Sequence, residues 1–76
     1  MKQFQVVTRK TWEGVDAEIP SIRECETWAK TEEEALDKLM ERIKYFLSLP
    51  EKTKCILDRS RKEDGETYYT LIIKED

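Results

Sequence analysis

Residues 14–36, GVDAEIPSIRECETWAKTEEEAL, decide the fold, because two alternating stretches run there into the start of a helix. Val15, Ala17 and Ile19 alternate with two acidic residues. This period of two is typical of a strand with one face in the core and one face in water. Pro20 ends the strand, since proline has no amide hydrogen to offer a sheet.

The second alternating stretch leads directly into the helix. Residues 24–29 alternate glutamate and tryptophan with smaller side chains, which predicts a third strand after a turn at residues 21–24. Thr31 can cap the helix, with Glu34 at the N3 position of a T-x-x-E capping box. The three consecutive glutamates at 32–34 put negative charge where the helix dipole favours it.

The helix is predicted from Glu32 to about Ser48. Its apolar residues recur at the i, i+3, i+4, i+7 spacing of one buried stripe. Pro50 then prevents the helix from continuing. The predicted stripe consists of Leu36, Leu39, Met40, Ile43, Phe46 and Leu47.

Three further strands flank this unit. Residues 3–8 predict the first strand, residues 55–59 a fourth, and residues 67–74, TYYTLIIK, a fifth that is rich in β-branched and aromatic side chains. The order β-β-β-α-β-β predicts an α+β, two-layer sandwich with one helix packed on one face of the sheet. The order of the last two strands within the sheet stays open.

The Asp64-Gly65 dipeptide predicts a hairpin between the last two strands. A two-residue loop would set Glu63 opposite Glu66, which are like charges. A three-residue loop, 63–65, sets Lys62 opposite Glu66, and cross-strand pairing energies favour it. It also gives two apolar pairs: Leu57 with Leu71, and Ile56 with Ile72.

Length and charge restrict what the chain can be. Its 76 residues predict a single domain, 1–76, whose small core favours association into a homodimer through the uncovered sheet face or an edge strand. A net charge of −3 argues against direct nucleic-acid binding. No apolar run is long enough to cross a membrane, and no secretion signal is recognisable at the N-terminus, so we expect a cytoplasmic protein without membrane contact.

The side chains that usually perform chemistry are scarce. The chain has no histidine, and Ser21, Ser48 and Ser60 have no evident base. Cys25 and Cys55 do not complete a zinc site without further ligands and read as small apolar side chains. We therefore expect no enzyme and no catalytic, cofactor-binding or metal-binding residue.

The sequence resembles the HicB-like antitoxin family over about residues 3–49. The resemblance implies a partial RNase H-like fold, in which a parallel strand lies beside the first and makes the sheet mixed. It also implies a protein that binds and neutralises a small HicA-type toxin ribonuclease. The residues after Pro50 predict a β-hairpin at 55–74 instead of the DNA-binding segment that many members carry. The matching segments are 4–7, 12–14, 17–20, 22–25, Thr31 and 34–36.

Four residues are candidates for contact with such a partner. Trp12 and Trp28 are possible interface anchors, since tryptophan is enriched at binding hot spots. Asp16 and Glu18 lie on the polar face of the second strand and would attract a basic protein. Two alternatives remain: the tryptophans pack across the sheet or a core edge, and the chain is an orphan oligomerisation or structural domain without a toxin partner.

Overall fold

A computed structural model describes residues 2–74 of the chain. The predicted α+β class and element order are confirmed. The elements are β1 (Lys2–Lys10), β2 (Val15–Ile19), β3 (Ile22–Ala29), α1 (Glu32–Phe46), β4 (Lys54–Glu63) and β5 (Glu66–Lys74).

The five strands form one sheet in the order β3-β2-β1-β5-β4, and every neighbouring pair is antiparallel. The expected mixed sheet, with a parallel strand beside the first, is therefore wrong. The neighbour of β1 is β5, which pairs with it from Lys2↔Ile73 to Arg9↔Glu66. Since β4 and β5 form a tight hairpin, the apolar β5 takes the central place and the more charged β4 becomes the outer strand.

The core lies between the sheet and α1, which packs mainly on β2 and β3. Ala35, Leu39 and Ile43 form the fully buried line of the helix. The predicted stripe is correct at its centre, but Phe46 is 46% exposed. Ala35 is buried instead, because its small side chain lets the helix approach β3, where the Thr27 hydroxyl donates a 2.8 Å hydrogen bond to the Ala35 carbonyl.

Both ends of the helix have an identifiable stop. The Glu34 amide donates to the Thr31 hydroxyl oxygen at 3.2 Å, so the predicted N-cap is confirmed. The helix ends at Phe46, two residues before the expected boundary. Ser48 has φ 56° and the Leu49 amide donates to the Lys44 carbonyl, which is a left-handed C-terminal cap.

The β4–β5 turn corrects the predicted register. Glu63 does lie opposite Glu66, so the three-residue loop is wrong. Asp64 (φ 44°) and Gly65 (φ 79°) both have positive φ, as a type I′ turn requires. The like charges are tolerated because Arg9 of β1 donates to Glu66 at 2.7 Å.

Farther from the turn, the predicted pairs are nevertheless present. The register shifts by one residue between Arg59 and Arg61, which makes Ser60 a bulge. This extra residue restores the apolar pairing that the three-residue loop would have given. Leu57 is opposite Leu71 and Ile56 is opposite Ile72, as predicted.

Candidate functional site

The sheet face that points away from α1, called here the open face, holds the candidate site. On β2 and β3 it presents a group of acidic side chains around one tryptophan, because the alternate residues point into the core. We call this group the acidic corner. It consists of Asp16, Glu18, Glu24, Glu26 and Trp28.

Trp28 has a fixed position in the acidic corner. It lies directly opposite Asp16 across the β2–β3 pair and is 43% exposed. Its indole covers Gly14, where a Cβ atom would lie 2.7 Å from the ring. The missing side chain at Gly14 therefore lets the ring lie against the β1–β2 turn, with part of its surface in water.

Trp12 lies in the same turn but does not join this arrangement. The turn is closed by the Thr11 amide, which donates to the Gly14 carbonyl at 2.8 Å, and by the Gly14 amide, which donates to the Thr11 hydroxyl oxygen at 3.1 Å. Trp12 is 99% exposed. The structure thus brings Asp16 and Trp28 together and leaves Trp12 in solvent, so neither tryptophan is a core residue.

Glu18 lies at the inner side of the acidic corner and has one cationic partner. Arg9 Nη2 is 3.4 Å from Glu18 Oε1 and 2.6 Å from Glu66 Oε2, so the guanidinium bridges β2 and β5. The hydrogen bond with Glu66 is the main reason that the pKa of Arg9 is raised. The same bond holds the pKa of Glu66 below its ordinary value. Since Glu66 takes the shorter contact, Glu18 is only partly neutralised.

A groove of about 840 Å³ runs between β3 and α1, next to the acidic corner. Its apolar lining includes Trp28 and the exposed Tyr45 and Phe46 of the helix. Lys38 Nζ donates to the Trp28 carbonyl at 3.2 Å, and Arg42 Nη1 donates to the Glu24 carbonyl at 3.4 Å. The two cations cover backbone acceptors on an outer strand and so oppose pairing with another strand.

Sequence reasoning missed a polar cluster at the helix start. Glu32 accepts hydrogen bonds from the Thr8 hydroxyl at 2.7 Å and the Tyr69 hydroxyl at 2.8 Å. Burial opposes ionisation of Glu32, but these two bonds, together with the positive charges of Arg59 and Lys62, outweigh it and lower its pKa. Burial and the contact with Glu32 raise the pKa of Tyr69. Because every bond joins the helix to a central strand, the cluster fixes the helix on the sheet.

No three potential metal ligands converge among residues 2–74. Cys25 is buried and Cys55 half-buried, both as free thiols. Burial raises the pKa of the Cys25 thiol, so this side chain stays protonated near neutral pH. In the same range, no helix is both long and apolar enough to cross a membrane.

Comparisons of the chain with protein families, with curated proteins and with solved structures gave no match. The resemblance to HicB-like antitoxins therefore stays a prediction from the order and spacing of the sequence motifs.

Proposed function

We propose that the chain is a non-catalytic protein-binding module, and that its acidic corner binds a small basic protein. The observation that carries this proposal is the half-exposed Trp28, fixed over Gly14 and surrounded by carboxylates. A rigid aromatic side chain with few rotamers to lose makes an effective anchor. The surrounding acidic residues attract a positively charged partner and repel a negatively charged one.

The carboxylates and the tryptophan have different roles in this binding. Asp16 lies opposite Trp28 and Glu26 lies two residues before it on the same face of β3, and both would raise the association rate of a cationic partner. Trp28 would lose its remaining contact with water in the complex and so slow dissociation. Salt screens the first effect far more than the second.

The nature of the partner follows from the resemblance to the HicB-like family. That resemblance implies a HicA-type toxin, a small ribonuclease that is neutralised when the antitoxin covers its surface. A basic nuclease surface that binds RNA would suit the acidic corner. The alternative function, an orphan oligomerisation domain, is favoured by the like-charged residues that face each other on the open face, such as Glu18 and Glu26.

The test uses Trp28 as its own reporter. Trp12→Phe leaves Trp28 as the single tryptophan, and the exposure of Trp12 makes this change neutral for folding. The protein is mixed with any short basic protein that is found to be encoded next to its gene. Binding should shift the Trp28 emission to shorter wavelength, and co-expression should restore growth to cells that carry the toxin.

A matched pair of charge reversals then locates the site. Glu26→Lys should weaken binding by at least tenfold, whereas Glu51→Lys makes the same change in net charge on an exposed loop away from the corner. Equal affinities for the two variants would overturn the acidic corner as the site. A lack of any complex with the neighbouring basic protein would remove the antitoxin function and leave the orphan domain.

A further inference from the structure

Three pairs of like charges face each other across neighbouring strands on the open face, and two of them lie at opposite corners of it. Glu18 is directly opposite Glu26 on β2 and β3. Lys54 is directly opposite Lys74 on β4 and β5. We call these the acidic pair and the basic pair. Like charges in directly opposed positions destabilise a sheet, so each pair weakens the fold of a single chain.

Within residues 2–74, the fold leaves both pairs largely without neutralising partners. The side chains of Glu26, Lys54 and Lys74 form no hydrogen bond or ion pair in this range, and Glu18 has only the 3.4 Å contact with Arg9. The third pair of like charges, Glu63 and Glu66, does have neutralising partners. There Arg61 is 3.8 Å from Glu63, and Arg9 binds Glu66.

The acidic pair and the basic pair have opposite signs and lie at opposite corners of one face. We propose that the open face is a self-complementary dimer interface, in which the acidic pair of one copy lies on the basic pair of the other. A twofold axis in the interface repeats the contact, so all four pairs are neutralised in a closed dimer. The partner of this surface is a second copy of the chain.

The dimensions of the sheet allow this arrangement. With strands about 4.8 Å apart and a rise of about 3.3 Å per residue, the acidic and basic pairs are roughly 24 Å apart. The point midway between them falls between Gln3 and Gln5 of the central β1. A twofold axis there brings Glu26 to Lys74 of the other copy and lays Ile56 and Ile72 on the middle of its face. These two isoleucines are the partly exposed aliphatic residues that such an interface needs.

The strand edges are poorer places for the same association. Pairing β3 with β3 of a second copy would bring Glu24 and Glu26 of both copies together, and Lys38 and Arg42 already bind carbonyls there. The other outer strand, β4, carries the Ser60 bulge and a run of charged residues. Both devices are common protections against edge pairing, which leaves the open face.

The size of the face indicates how tight the dimer should be. Five strands at these spacings offer roughly 500 Å² per copy, or roughly 1,000 Å² in all, which is typical of weak, reversible complexes. Dimers should therefore form at tens of micromolar and dissociate in high salt. The inference does not depend on the proposed function, although a basic partner would compete with the second copy for Glu18 and Glu26.

The test uses substitutions that weaken the dimer and at the same time remove a repulsive cross-strand pair from the single chain. Glu26→Lys places a lysine opposite Glu18, and Lys74→Glu places a glutamate opposite Lys54. Each change makes an attractive cross-strand pair, so the monomer should be at least as stable to urea as the wild type. Each change also introduces repulsion across the interface, so self-association should weaken at least tenfold in sedimentation equilibrium. Glu51→Lys and Lys52→Glu make the same changes in net charge outside the open face and serve as controls.

Mixing the two variants gives the decisive measurement. The lysine introduced at position 26 of one chain then meets the glutamate introduced at position 74 of the other, while the unchanged acidic and basic pairs meet at the second contact. An equimolar mixture should regain the wild-type dimer mass at a concentration where each variant alone is largely monomeric. A monomeric wild type at about 200 μM, well above the expected range, would overturn the proposal, as would a mixture that stays monomeric. Neither result decides whether the acidic corner binds a basic partner, because that binding is measured separately.

Discussion

The two outer parts of the sheet are built differently. The β2–β3 side has short strands of five and eight residues, and α1 covers one of its faces. The β4–β5 hairpin has strands of ten and nine residues, and most of β4 is exposed. The covered side depends on buried contacts with the helix, whereas the hairpin depends on its turn, its bulge and pairing with β1. Equal substitutions should therefore have unequal effects on the two sides.

The largest expected effect comes from removing core volume under the helix. Leu39 is 0% exposed, and Leu39→Ala should lower the free energy of unfolding by about 3 kcal/mol. Ile56→Ala, on the open face of the hairpin, should cost less than about 1 kcal/mol in the monomer. Urea denaturation at low protein concentration measures both values. Similar losses at the two sites would show that the hairpin is as tightly packed as the covered side.

The two glycines distinguish the turns of the two sides. A Cβ atom at Gly14 would overlap the Ala29 carbonyl oxygen, which cannot move without shifting β3. Gly14→Ala should therefore cost about 2 kcal/mol. It should also change the Trp28 emission, because the ring must leave the turn.

Gly65 of the hairpin turn is the matched control. It has φ 79°, and a Cβ atom there would have no neighbouring atom within 4 Å. Gly65→Ala should therefore lower the stability of the protein through backbone strain alone. That strain should cost about 1 kcal/mol and leave the Trp28 emission unchanged. A larger loss at Gly65 than at Gly14 would contradict the contacts assigned to the β1–β2 turn.

A smaller effect is expected at the start of the helix. Thr31→Ala removes the acceptor of the Glu34 amide and should cost about 1 kcal/mol. Thr31→Ser keeps the hydroxyl and should retain most of the stability. If the urea midpoints of the two variants coincide, the hydroxyl is not the cap and the helix begins elsewhere.

The smallest effect is a pH dependence that belongs to the covered side. Because the pKa of Glu32 is lowered, the folded protein favours the carboxylate more than the unfolded chain does. Its stabilisation is fully present above the unfolded pKa of about 4.3 and is lost as the pH falls through the lower folded value.

Glu32→Gln tests this dependence without a large change in shape. The wild type should exceed the variant in stability near neutral pH, and the difference should shrink as the pH falls below about 4. A difference that stays constant with pH would mean that the charge of Glu32 makes no contribution to stability.

The sequence predicted the elements better than their arrangement. Val15, Ala17 and Ile19 are enough to define β2, because burial on one face leaves a local period of two. The pairing of β1 with β5 could not be predicted this way, since it joins residues that are far apart in the chain, as in Arg9↔Glu66. The turn register failed for the same reason, because the cation that neutralises Glu66 comes from β1.

The candidate site was predictable in part. The alternation on β2 correctly put Asp16 and Glu18 on the polar face, and the same reasoning on β3 put Trp28 there. The contact of Trp28 with Gly14 and the opposition of Glu18 to Glu26 depend on the β2–β3 register, which a single sequence does not contain. The basic pair was harder to foresee, because the Ser60 bulge decides which residues face each other on β4 and β5.

The pairing of β1 with β5 has a consequence for how the protein is made. Within residues 2–74, β1 has as one neighbour β5, which is synthesised later than every other strand of this sheet. During synthesis β1, β2, β3 and α1 leave the ribosome before residues 66–74, so one edge of β1 has no neighbouring strand until those residues are released. Until then, the core side of Val6 and the apolar face of the helix are only partly covered. Folding is therefore completed after synthesis of this segment instead of during it.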